Sequence, residues 1–144
     1  MATSTTRAAL IGIQPALVYP VGGQANRQTI IPKSISVVSI GASILVEVFY
    51  NSTLTGGTAT RAHATSATEV LVGQTIGATG IPVQSFFVTS GGGQSAGGGA
   101  STVADRYPLT LDIAGANPRN LSVCVTTLTG TGTARGSIDW VEVR

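Results

Sequence analysis

His63 is the one histidine in 144 residues. A hydrolytic triad would need a serine and an aspartate carried to it from elsewhere, because Ala62, Ala64 and Thr65 beside it supply no acid. Ser and Thr are so common in this chain that none of them is singled out, and His63 reads as a solvent-facing or interface residue. Cys124 lies in the alternating run Leu121-Ser122-Val123-Cys124-Val125. A single cysteine makes no internal disulfide, and this pattern reads as a small buried thiol rather than a nucleophile. The carboxylates Glu47, Glu69, Asp105, Asp112, Asp139 and Glu142 are scattered and share no ligand spacing with His63 or Cys124, so no metal or cofactor is expected. A paired-carboxylate glycosidase would bring aromatic residues for sugar stacking, and Trp140 stands alone. The tract Gly91 to Gly99, GGGQSAGGG, lacks the lysine and the following helix of a phosphate-binding loop. It reads as a flexible loop. The expectation is a protein that is not an enzyme.

Sparse charge is the strongest compositional signal. Asp, Glu, Lys and Arg make up 10% of the chain, against roughly 25% in an average soluble domain, and mean hydropathy is +0.34. A surface built from Ser, Thr, Gly, Ala and Gln repels neighbours weakly and costs little to desolvate, which suits permanent packing against other subunits. A plain Thr/Gly-rich β-domain is the other reading. Seven arginines and one lysine against six carboxylates give a net charge of +2 without a basic run. No counterion-displacing stripe for nucleic acid is present. The preference for arginine fits interface carboxylates, which its planar fork matches. Met1 to Leu10 does not read as a secretory signal, so Asn51-Ser52-Thr53 and Asn120-Leu121-Ser122 read as turn asparagines rather than glycosylation acceptors. No membrane span is expected.

The elements are short strands. Ser34 to Tyr50, SISVVSIGASILVEVFY, reads as a central hairpin with Gly41-Ala42 as its bend and Ile44, Val46, Val48 and Tyr50 on one face. Leu45, Glu47 and Phe49 occupy the opposite face, so that strand should be internal to a sheet with a second layer or a partner chain over it. Residues 1–14 read as an extended arm, in which Ala8, Ala9, Leu10, Ile11 and Ile13 could grip a neighbour. Residues 15–144 read as one domain. Strands are expected at Ala16 to Tyr19, Arg27 to Ile31, Ala59 to Ala64, Thr68 to Val72 and Gln84 to Thr89. A further strand from Tyr107 should point Leu109, Leu111 and Ile113 inward. Asn120 to Leu128 and Thr133 to Val143 should form a last hairpin about Thr129-Gly130-Thr131-Gly132. Thr53-Leu54-Thr55-Gly56 recurs as Thr127-Leu128-Thr129-Gly130 and hints at two similar hairpins. No stretch has helical periodicity. The expected fold is all-β, an antiparallel β-sandwich, jelly-roll-like.

The phrases IIPKSISVVS, VEVFYNSTLTGGT and LSVCVTTLTGTGTARGSIDWVEVR, in that order around a glycine-rich middle, resemble small virion proteins of tailed bacteriophages, especially aquatic ones. Among these the chain most resembles a capsid decoration (cement) protein. That resemblance implies a structural protein made in the host cytoplasm and resident in the virion. It further implies a homo-oligomer on the major capsid protein, without nucleic acid or membrane as partners. A tail, fibre or baseplate component that recognises the host is the alternative, and a carbohydrate-binding sandwich lies further out.

Overall fold

The computed structural model describes residues 6–19, 22–90, 96–103 and 107–143. Among the described residues the strands are β1 (Ala8–Pro15), β2 (Thr29–Tyr50), β3 (Leu54–Thr55), β4 (Thr58–Arg61), β5 (Thr68–Val72), β6 (Thr75–Ile76), β7 (Ile81–Val88), β8 (Ala96–Thr102) and β9 (Leu121–Val143). The fold is all-β and its strand pairs are antiparallel. The main sheet runs β4-β5-β1-β9-β2-β7, with β8 added to β2, and β3-β6 form a separate ribbon.

Two long strands govern this architecture. β2 and β9 have 22 and 23 residues and pair from Thr29 opposite Val143 to Tyr50 opposite Leu121. The two expected hairpins, about Gly41-Ala42 and about Thr129–Gly132, are therefore not hairpins. Each is the middle of one continuous strand, where extra residues shift the register instead of reversing the chain. The repeated Thr-Leu-Thr-Gly consequently marks no repeated structure, since one copy enters β3 and the other lies inside β9.

Side chains alternate sides along a strand, so each extra residue exchanges the two faces. The buried set on β2 begins with Ile30 and Pro32, passes the irregularity at Lys33 to Ile35, Val37 and Ser39, and passes Gly41 to Ala42, Ile44, Val46, Val48 and Tyr50. On β9 it changes from Leu121, Val123 and Val125 to Ala134 and Ile138. Each shift returns apolar residues to the inside. Gly41 and Gly130 sit at the shift with φ of 82° and 77°, a left-handed conformation that costs a side-chain-bearing residue but not glycine.

The ribbon folds back on itself at this point. A Cβ on Gly136 would lie 2.9 Å from Leu10 Cδ2, yet Ala9, next to Leu10, pairs with Cys124. Twelve residues of flat strand would separate those places on β9 by ~40 Å. One layer thus consists of β4, β5, β1, the first part of β9, the second part of β2, and β7. The other consists of the remaining parts of β9 and β2, with β8. Their facing side chains make one core, including Leu10, Ile13, Ile35, Val37, Ile44, Val46, Val48, Leu109 and Ile138, against which Trp140 packs. On the outside of the first layer Ala9, Phe49 and Cys124 form a second cluster under Leu54 and Ile76 of the β3-β6 ribbon. Both faces of β2 are covered there, as its composition implies.

The glycine tract departs from expectation. Residues 91–95 lie outside the described residues, but Ala96–Thr102 forms β8, paired with Ser34 to Ile40 of β2. Gly99 faces the other layer, and a Cβ there would come within 2.9 Å of Val88 Cγ2 and 3.0 Å of Phe86 Cε2. Glycine at this position permits close approach of layers rather than flexibility. The segment after Tyr107 also differs. Leu109 is buried and bridges Ile30, while Leu111 bridges Pro118. Ile113 is 98% exposed instead of inward. The segment reverses direction there, with Gly115 N–H donating to the Asp112 carbonyl.

Gly99→Val should therefore destabilise by about 2 kcal/mol or more through overpacking. At Gly98 an added Cβ meets nothing nearer than 3.9 Å, and Gly98→Ala should stay within about 0.5 kcal/mol of wild type. Urea denaturation of the pair checks this, and equal midpoints would refute the packing role.

Candidate functional site

The five residues expected to grip a partner are all in β1. This strand pairs with β9 from Ala8 to Ile13 and with β5 from Gly12 to Pro15. Ala9, Leu10 and Ile13 are buried in the protein's own clusters and Ile11 packs against the core. The apolar content attributed to an arm is that of a strand between two neighbours. Ala8 to Pro15 therefore belongs to the sheet, and the expected boundary after residue 14 cuts through a strand. Residues 1–5 of that expectation lie outside the described residues.

Arg7, just before β1, is held against the outer face. Its Nε and Nη2 donate to Glu47 Oε2 and Oε1 at 2.7 and 2.9 Å, and its guanidinium carbon lies 5.2 Å from the Phe49 ring centroid. Hydrogen bonding to Glu47 raises the Arg7 pKa, with burial opposing it. Beneath this pair Cys124 is fully buried. Burial pushes its thiol up to about 11, although the hydrogen bond with Ser122 and the charge of Arg7 pull the other way. Its burial matches the small buried thiol that the sequence pattern implied. His63 is exposed and Nδ1 faces Thr65 Oγ1 at 3.1 Å, a local turn contact. Among the described residues no three His, Cys, Asp or Glu side chains gather as metal ligands.

The more informative surface is the end of the sandwich opposite the bend, where residues 16–19 and 22–28 adjoin residues 107–120. Asn26 anchors the first segment: its Nδ2 donates to the carbonyls of Ala16 and Ala67, both at 2.9 Å, and its Oδ1 accepts from Gln28 N at 3.0 Å. Beyond that anchor Val18 bridges Ala25 and Tyr19 N–H donates to Gln24 O. Arg61 holds the segment from the side, donating to Val18 O and Ser66 O. In the second segment Asp112 accepts from Ala116 N at 2.8 Å and from Asn117 Nδ2 at 2.6 Å. These bonds, the Ala116 amide first, hold its carboxyl below the usual range. Arg27 reaches Ile113 O at 3.5 Å, so the two segments adjoin. Tyr19, Gln24, Ala25, Arg27 and Gln28 line an open depression of about 310 Å³ beside them. Ile113 was misjudged because Tyr107 to Ile113 alternates like a strand. The Asp112-Ile113-Ala114-Gly115 sequence, with an aspartate and a glycine three apart, was the turn signal that could have corrected it.

Glu142 ties the layers together at this end. It accepts from Ser66 Oγ, from Thr68 Oγ1 at 2.7 Å and from Ala67 N at 3.2 Å. Burial raises its pKa, but the bonds from Ser66, Thr68 and Ala67 outweigh that and leave it lowered. A carboxyl lowered in the folded state stabilises above its ordinary value, ~4.3, and loses that contribution as pH falls through the folded value. Glu142→Gln should cost about 1 kcal/mol at pH 7, solvent access discounting the usual worth of a charged hydrogen bond. The gap should close at acid pH. Thermal melts of both proteins from pH 7 to pH 3 check it, and a gap unchanged with pH would contradict the role.

Comparison with protein-family models, curated proteins and solved structures found no match.

Proposed function

We propose that this protein is a non-enzymatic virion structural protein that binds and stabilises a tailed-phage capsid as a decoration (cement) protein, acting as a homo-oligomer on the major capsid protein. The supporting observation is the number of large apolar side chains left in water on a sparsely charged surface. Val38, Ile40, Leu128 and Phe87 are exposed around the bend, and Leu17, Val18 and Ile113 at the opposite end. Scattered exposed apolar residues are ordinary, but such residues on ordered strands and turns, with little charge to desolvate, favour burial in an assembly. The resemblance of the terminal phrases to small virion proteins points the same way. A tail component that recognises the host is the second reading, favoured by the aromatic Phe87 at 67% exposure.

A protein that binds only the assembled shell stabilises it by mass action. Shells stripped of the protein should rupture at a temperature several degrees lower, and adding it back should restore the loss. Differential scanning calorimetry of stripped and reconstituted shells checks this. Equal rupture temperatures, together with loss of host adsorption on removal, would replace the capsid role with the tail role.

A further inference from the structure

One outer face of the sandwich is sealed and the other is not. The β3-β6 ribbon covers Phe49 and Cys124 on the first layer, whereas among the described residues no ribbon lies over the second layer, formed by β8, the first part of β2 and the last part of β9. Val38 and Ile40 of β2 and Val141 and Val143 of β9 are exposed on that outer side. Strand pairing sorts its outward side chains into rows across the sheet. The central row is small throughout: Ala100, Ser36 and Ser137. Toward the bend follow Gly98, Val38 and Arg135, then Ala96, Ile40 and Thr133. In the other direction follow Thr102, Ser34 and Asp139, then Ile31 and Val141.

Charge on this face is sparse and divided. Lys33 lies in the register shift between Pro32 and Ser34, and Glu142 turns inward to Ser66 and Thr68. That leaves Arg135 and Asp139, both exposed, one on each side of Ser137. They are about 13 Å apart along the strand, too far to meet, and among the described residues the ion pair formed is that of Arg7 with Glu47. Ser34 Oγ donates to Asp139 Oδ2 at 2.6 Å, which steadies the carboxylate and occupies one of its oxygens.

From this arrangement we infer that the face joins two copies of the chain, sheet against sheet, about a two-fold axis along the Ala100-Ser36-Ser137 row. Arg135 of each copy then meets Asp139 of the other, Val38 lies over the smaller Ser34, and Ile40 over Ile31. Thr102 lies over Gly98, where an added Cβ meets nothing nearer than 3.9 Å. A two-fold contact needs a surface that complements itself, and opposite charges set symmetrically about small residues supply one. Three strands about 4.8 Å apart and about ten residues long present roughly 500 Å² per copy. About 1,000 Å² is then buried in all, the lower bound for a specific interface, so the association is reversible. This contact rests on the decoration reading, which calls for a homo-oligomer.

Sedimentation equilibrium of purified protein over a range of concentrations tests it, comparing wild type, Arg135→Asp, Asp139→Arg and Phe87→Ser, with melting temperatures verifying each fold. Wild type should dimerise. Each charge reversal sets like charges together at both contacts and should weaken dimerisation about tenfold or more, while Phe87→Ser, on the first layer, should change it less than about twofold. An equimolar mixture of the two reversed variants should associate to within about threefold of wild type, since each copy carries the charge the other lacks. Wild type that stays monomeric would overturn the inference, and so would dimers that survive both reversals or a mixture that stays monomeric. Co-sedimentation with stripped shells separates this contact from the decoration role. Monomers that sediment would leave that role standing without the dimer, and loss of their binding in Val38→Asp would assign the face to the capsid protein instead. Dimers that do not sediment would remove the decoration role and leave the two-fold contact in place.

Discussion

The fold depends on bending one antiparallel ribbon without breaking it. β2 and β9 stay paired from end to end, so the backbone hydrogen bonds that two separate sheets would have to terminate continue through the bend. What makes this possible is local: extra residues at Gly41 on β2 and at Leu128, Thr131 and Gly132 on β9 strengthen the twist and exchange the faces. The exchange matters as much as the bend. Without it the second part of β2 would place Leu45, Glu47 and Phe49 inside and Ile44, Val46 and Val48 outside, and a carboxylate would occupy the core at a cost of several kcal/mol.

Everything else fits around that constraint. Two layers from one ribbon lie close together near the bend, and there Gly99 of β8 meets Phe86 and Val88 of β7. Away from the bend the layers need closing, which the segments around Asn26 and Leu109 accomplish together with Glu142. The outer face of the first layer is sealed separately, by the β3-β6 ribbon over Phe49 and Cys124 and by the Arg7–Glu47 pair beside them. The surface that remains is low in charge, since charged residues are 10% of the chain.

Much of the core was legible in the sequence. Ile44, Val46, Val48 and Tyr50 alternate and are buried as a set, and Cys124 sits where its apolar neighbours put it. The class was legible because strands with period two need no distant information. What was not legible was continuity. A glycine between two apolar runs reads as a turn, and only the register of the partner strand reveals a bulge. The apolar stretch Ala8 to Ile13 could be an arm or a strand, since both need apolar residues and the difference lies in whether β5 and β9 are beside it. Ile113 shows the converse error: alternation alone placed inward a residue that a side-chain-capped turn holds outward. The contact of Arg27 with Ile113 was invisible for the same reason, as the two are 86 positions apart.

The central claim is that the two halves of β9 belong to opposing layers of one bent ribbon. Nuclear Overhauser contacts between the Leu10 methyl groups and the Gly136 α-protons, in uniformly labelled protein, test it directly. The account predicts strong contacts, since a Cβ at Gly136 would lie 2.9 Å from Leu10 Cδ2. Absence of these contacts, with cross-strand contacts between Leu128 and Thr133 about a tight Thr129–Gly132 turn in their place, would contradict it.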